Sequence, residues 1–206
     1  MLNPMTRRIF TLAAGFALAG LTSQGAAKVG EAAPDFTLKD TKGVEHTLAG
    51  LKGKYVVLEW LNHGCPYVAA QYNSGNMQKL QETWTAKGVV WISVNSAGPG
   101  KAPYTSPEKA DQLTAEKKAR PTAVALDPDG TVGHAFGAKS TPTVAVIDPA
   151  GKLIYFGAVD DNDSGNAEDA PKAKNYVSAA LKAAMAGKPV ETPVTKAYGC
   201  GIHYGK

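Results

Sequence analysis

KYVVLEWLNHGCPYVAAQYNSGNMQKLQ, residues Lys54–Gln81, passes from a strand to a helix through one of the chain's two cysteines. Tyr55 to Leu61 is rich in apolar and β-branched residues and interrupted only by Glu59, the pattern of a strand buried on both faces of a parallel sheet. Asn62, His63 and Gly64 end it. Pro66 suits the first helical position, where a missing N–H costs nothing and a fixed φ already fits, so Cys65 falls at the N-cap. An anion there gains about 0.3–1 kcal/mol, up to ~2 in partly buried geometry, enough to bring a thiol pKa of ~8.5 down to roughly 7–8. The position turns a thiol into a nucleophile. The bland alternative is a small buried apolar side chain.

Outward from this stretch, the N-terminus reads MLNPMTRRIFTLAAGFALAGLTSQGAA: Arg7 and Arg8 stand before an apolar run from Ile9 to Leu21 and then small residues. This is the pattern of an export signal over 1–27, twin-arginine-like at Thr6–Phe10, with an uncleaved anchor as the alternative. A periplasmic or secreted passenger of roughly 180 residues is expected, one domain with a full core. Without Arg7 and Arg8 the formal charge falls from +4 to +2, and lysines alternate with acids thereafter. Neither a nucleic-acid nor a lasting membrane footprint is implied.

Glu31–Leu38 and Val44–Leu48, turned by Asp40–Gly43, predict an N-terminal hairpin. After Cys65 the helix should break at Asn73–Asn76 and restart at Met77. Gly88–Val94 predicts a second buried strand, Ser106-Pro107-Glu108 starts a helix to about Ala119, and Thr122–Leu126 predicts a third strand. Val132–Ala138 reads as a short helix, Thr143–Ile147 and Leu153–Phe156 as an antiparallel hairpin, and Pro171–Ala186 as an amphipathic helix. Asp160–Gly165 reads as a solvated loop, without calcium spacing. Residues 28–187 thus form the domain, and 188–206 form an aperiodic tail carrying Cys200.

This order resembles the thioredoxin-like fold, an α/β three-layer architecture with a mixed central sheet and an N-terminal β-hairpin extension. It is more closely similar to redoxins of the alkyl hydroperoxide reductase/thiol-specific antioxidant (peroxiredoxin-like) group. The likeness is carried by Ala33-Pro34-Asp35-Phe36, Asn62-His63-Gly64-Cys65-Pro66-Tyr67-Val68, Ser140-Thr141-Pro142-Thr143 and Tyr198-Gly199-Cys200. The resemblance implies that Cys65 attacks a peroxide or disulfide and that Thr141-Pro142 forms a cis-proline loop facing it. Asn62, His63 and Pro66 would support the thiol. No organic cofactor and no metal are implied; a reducing thiol protein or small thiol would supply electrons.

Two departures stand out. Val68 occupies the place of the second cysteine of thioredoxin-type sites, and Asn62 that of the threonine of peroxiredoxin-type sites. Arg120 is the only arginine beyond the export segment. Cys200 is the candidate resolving cysteine, since a dozen residues of tail span up to ~40 Å; a structural disulfide and an unpaired thiol are the alternatives. His63, Cys65, Cys200 and His203 would alternatively make a two-sulfur, two-nitrogen metal-binding module. A redox-inactive binding relic of the fold is the third reading. His46 and His134 read as surface or turn residues.

Overall fold

The computed structural model describes residues 26–205, so the expected export segment lies almost wholly outside the described residues. Its strands and helices are β1 (Thr37–Asp40), β2 (Glu45–Thr47), β3 (Val56–Trp60), α1 (Pro66–Asn73), α2 (Asn76–Thr85), β4 (Val90–Asn95), α3 (Pro107–Glu116), β5 (Ala123–Leu126), α4 (Thr131–Phe136), β6 (Ser140–Thr141), β7 (Thr143–Ile147), β8 (Leu153–Gly157), α5 (Tyr176–Met185) and β9 (Cys200–Gly201). Seven strands form one sheet in the order β2-β1-β5-β4-β3-β7-β8. The core β5-β4-β3 is parallel, while β1 and β7 join its two sides antiparallel, so the sheet is mixed as the sequence predicts.

β3 is buried along its whole length because both sheet faces are covered. Alternation sends Val56, Leu58 and Trp60 into a core with Phe36, Leu38, Ile92, Val132 and Phe136. Val57 and Leu61 join Val68, Tyr72, Trp84, Trp91 and Leu181 on the face covered by α1, α2 and α5. This is the three-layer arrangement of the thioredoxin-like fold.

The expected break in the first helix occurs at Gly75, in the left-handed region with φ 77°. Ser106 caps α3 by accepting from the Lys109 N–H at 3.3 Å, but the helix stops at Glu116 because Lys118 turns left-handed. The last helix corrects the sequence reading. It begins at Tyr176, not near Pro171, because Ala173 is extended and Asn175 supplies the cap, accepting from Ser178 N–H at 2.8 Å. The Asp160–Gly165 loop needs correction too: Asp160 is buried against α1, and exposure to solvent begins only at Asp161.

The tail is folded onto the domain. Val194 bridges Phe156, β9 pairs antiparallel with β6 in a second small sheet, and Tyr204 stacks on His134 with ring centroids 3.9 Å apart.

Candidate active site

The Asn62–Gly64 turn sets the cysteine. Asn62 Oδ1 accepts from Gly64 N–H at 2.8 Å, the Asn62 carbonyl accepts from Cys65 N–H at 2.9 Å, and the Cys65 carbonyl accepts the first helical bond from Ala69 at 2.8 Å. Cys65 is therefore the N-cap of α1, in extended backbone, with Pro66 at the first helical position. The Thr141–Pro142 bond is cis, and the Cys65 thiol donates to the Thr141 carbonyl at 3.2 Å. Opposite Thr141 in the β6–β9 ladder stands Cys200, so the tail brings the second thiol onto the first. No disulfide joins them.

The sulfur lies against the Thr141–Pro142 peptide, as the resemblance implies, but it is closed to solvent. Cys65 is only 1% exposed, and Cys200 of β9 packs against it. Burial by itself pushes the Cys65 thiol up, but donors outweigh it: the Cys200 thiol first, then the Val68 and Cys200 N–H groups and the Thr141 hydroxyl. The net direction is down. Val68 N–H, at the third helical position, lies beyond full hydrogen-bond geometry yet near enough to favour the anion. Thr141 Oγ1 makes no hydrogen bond, which leaves its hydroxyl free to turn to the sulfur. For Cys200, burial and the proton it shares with Cys65 push the thiol up to about 11. The proton is thus held more loosely on Cys65 than on Cys200.

Beneath the site, Glu59 points to the α1–α2 face and is fully buried. Its carboxyl accepts from Tyr72 (2.9 Å), Gln81 (3.1 Å), Trp91 (2.8 Å) and Ser93 (3.0 Å). Burial drives the Glu59 carboxyl up, and these four donors oppose it. His63 sets its ring edge-on to Tyr72, with centroids 5.1 Å apart, and burial lowers its imidazole to about 4. Its neutral ring lines a cavity of about 520 Å³ with Leu61, Asn95, Tyr104, Leu113 and Lys117.

Of the expected site residues, Thr141, Pro142, Pro66 and Cys200 meet at Cys65. Asn62 shapes the turn, and His63 faces Tyr72 rather than the sulfur. The metal set does not assemble: among the described residues no three His, Cys, Asp or Glu side chains could hold one ion. His203 offers its carbonyl to Gly98 N–H, and Arg120 is exposed beyond α3. His46 pairs with Asp40 at 2.9 Å. The sequence reading gave no site role to Asp160, Gln71 or Tyr198, which tie the tail to α1. Glu59 had a signal, a lone acid in an apolar strand, since a buried charge needs partners.

Fold and thiol pair together define a thioredoxin-like redox protein. A model of the Redoxin family matches residues 28–176, and the chain belongs to that family. The thiol-disulfide oxidoreductase ResA of Geobacillus thermodenitrificans is 30% identical over 144 residues, covering 70% of this chain and 75% of the relative. ResA of Bacillus subtilis is 30% identical over 132 residues, covering 61% of this chain and 64% of the relative. Among solved structures, a hypothetical protein of Sinorhizobium meliloti superposes with TM-score 0.75 at 24% identity, covering 88% of this chain and 97% of its own. A putative thiol:disulfide interchange protein DsbE of Chlorobium tepidum gives TM-score 0.51 at 27% identity, covering 64% and 85%.

Proposed function

We propose that this protein is an exported thiol-disulfide oxidoreductase in which Cys65 attacks and Cys200 resolves. It is a thiol-based oxidoreductase, as its ResA relatives are. The observation carrying the two-thiol assignment is geometric: Cys65 caps α1 with its thiol on the Thr141 carbonyl at 3.2 Å, and the β6–β9 ladder sets Cys200 directly opposite Thr141. The thiol at the helix N-terminus is the nucleophile, and the tail thiol is the reserve.

In the cycle, Cys65 thiolate attacks one sulfur of a substrate disulfide, forming a mixed disulfide and releasing the other sulfur as a thiolate that takes up a proton. Cys200 then loses its proton and attacks the Cys65 sulfur, releasing the second substrate thiol and closing Cys65–Cys200. Two protein thiols are oxidised and one disulfide is reduced. A partner dithiol or small thiols would reverse the state of the pair. The absence of a cysteine at Val68 is met by a tail cysteine brought in opposite Thr141. Export rests on Arg7, Arg8 and the apolar run behind them. The sequence resemblance also left peroxide open, but the named relatives carry the thiol-disulfide name, and a disulfide is the substrate assigned here.

The test is a single-turnover reaction of the reduced protein with a chromogenic aryl disulfide. Wild type should release two aryl thiolates per chain and end as an internal disulfide. Cys200→Ala should release one and keep the adduct on Cys65, and Cys65→Ser should lose the fast phase. Full release from Cys65→Ser at the wild-type rate would remove the assignment. Adding hydrogen peroxide instead and weighing the product for sulfenic acid at Cys65 decides the peroxide branch.

A further inference from the structure

Residues 193–205 cross the mouth of the site, and the structure fastens them on both sides of Cys200. On the upstream side, Thr195 N–H donates to the Phe156 carbonyl at 3.2 Å and Thr195 Oγ1 accepts from Ala158 N–H at 2.9 Å. On the downstream side, Ile202 N–H donates to the Lys139 carbonyl at 3.0 Å, and the Tyr204 hydroxyl donates to the Ala138 carbonyl at 2.6 Å. The landing places are bare backbone. A Cβ on Gly133 would strike the Tyr204 ring, and one on Gly199 would enter the Thr141 carbonyl oxygen beside Cys65.

Between these anchors lies one side-chain fastening. The Tyr198 hydroxyl donates to Asp160, a carboxyl only 1% exposed. The other oxygen of that carboxyl accepts from Gln71 Nε2 at 2.8 Å, and Gln71 Oε1 is fixed in turn by Asn76 Nδ2 at 2.6 Å. Gln71 stands on α1, the helix Cys65 caps. Tyr67 of the same helix holds its ring 5.8 Å from that of Tyr198. Tyr198, two residues before Cys200, is thus bound to the element that carries the nucleophile.

We infer that Tyr198 is the positioning residue of the thiol pair, the catch of a strap that holds Cys200 on Cys65 and shuts Cys65 from solvent. A disulfide substrate reaches Cys65 when the strap lifts off Thr141. The same catch then returns Cys200 to the mixed disulfide. The inference deepens the two-thiol reading and rests on it only for that second step.

Tyr198→Phe keeps the ring against Tyr67 and removes the hydrogen bond to a buried carboxyl, which is worth about a tenfold change in the opening equilibrium. Two quantities are read on the reduced full-length protein. The first is the rate of Cys65 carboxamidomethylation by iodoacetamide at pH 10, where the thiolate is formed in both proteins. The second is the effective concentration of Cys200 at Cys65, from the disulfide fraction in glutathione buffers. The rate should rise about tenfold and the effective concentration should fall by a similar factor. An unchanged rate overturns the strap, even if the unfolding midpoint drops, and a raised rate with an unchanged effective concentration overturns the positioning role. If wild type forms no Cys65–Cys200 disulfide in any buffer, the two-thiol reading fails, while the alkylation rates still decide the strap.

Discussion

Cys200 stands directly across the β6–β9 ladder from Thr141, the residue whose carbonyl receives the Cys65 thiol at 3.2 Å. The second cysteine therefore acts on the first through a two-residue strand whose pairing is the backbone of the site. Cys200→Ala removes the first of the donors that favour the Cys65 thiolate. The pH midpoint of Cys65 alkylation should rise towards that of an ordinary thiol. Serine at 200 should shift it less, because a hydroxyl can still donate.

Gly199→Ala tests the ladder from its backbone. Gly199 has φ 110°, and a Cβ there would collide with the Thr141 carbonyl. The variant should fold with its seven-stranded sheet intact but release β9, opening Cys65 to iodoacetamide. Proteolysis at the tail should accelerate, while far-ultraviolet circular dichroism stays unchanged.

Glu59→Leu should be severely destabilising, by about 3 kcal/mol or more, since it leaves several buried donors without an acceptor. Glu59→Gln, which keeps an oxygen among them, should cost less. Urea unfolding monitored by tryptophan fluorescence separates the two, because Trp91 is itself one of the donors.

His63 gives a pH signature of defined sign. Burial first, then the Lys117 ammonium, lowers its imidazole from 6.5 to about 4, so between these values the unfolded chain binds more protons than the folded one. Its contribution is present above the unfolded value and is lost as pH falls through the folded one. Relative to His63→Phe, wild type should lose on the order of 3 kcal/mol over that window. Denaturant midpoints taken every half pH unit would show it, and parallel curves for the two proteins would refute it.

Much of this was legible in the sequence. The β-branched run of β3, proline after Cys65 and the poor helical stretch at Asn73–Asn76 each act locally, so the strand, the cap and the helix break follow from neighbours in the chain. The tail did not yield in this way. Its fastenings are hydrogen bonds to backbone groups of Phe156, Ala158, Lys139 and Ala138 and a side-chain bond spanning 38 positions from Tyr198 to Asp160, and none of these leaves a period. Asp160 itself sits in a run of small polar residues whose composition speaks for solvent, and Gln71 of α1 and Tyr198 of the tail, both distant in sequence, give its carboxyl a reason to be inside. The late start of α5 was hidden similarly, since Pro171 and the alanines after it satisfy helical composition while Asn175 holds the cap.

The unequal acidity of the two cysteines has a consequence for timing. Apart from burial, what keeps the proton on Cys200 is the sulfur of Cys65. In the proposed cycle the two would therefore sit side by side at rest without the second competing for incoming disulfide. A mixed disulfide at Cys65 would leave that sulfur without charge, and that part of the restraint on Cys200 would go with it. The first chemical event would then arm the second, an interlock that orders the cycle with no moving part beyond the inferred strap.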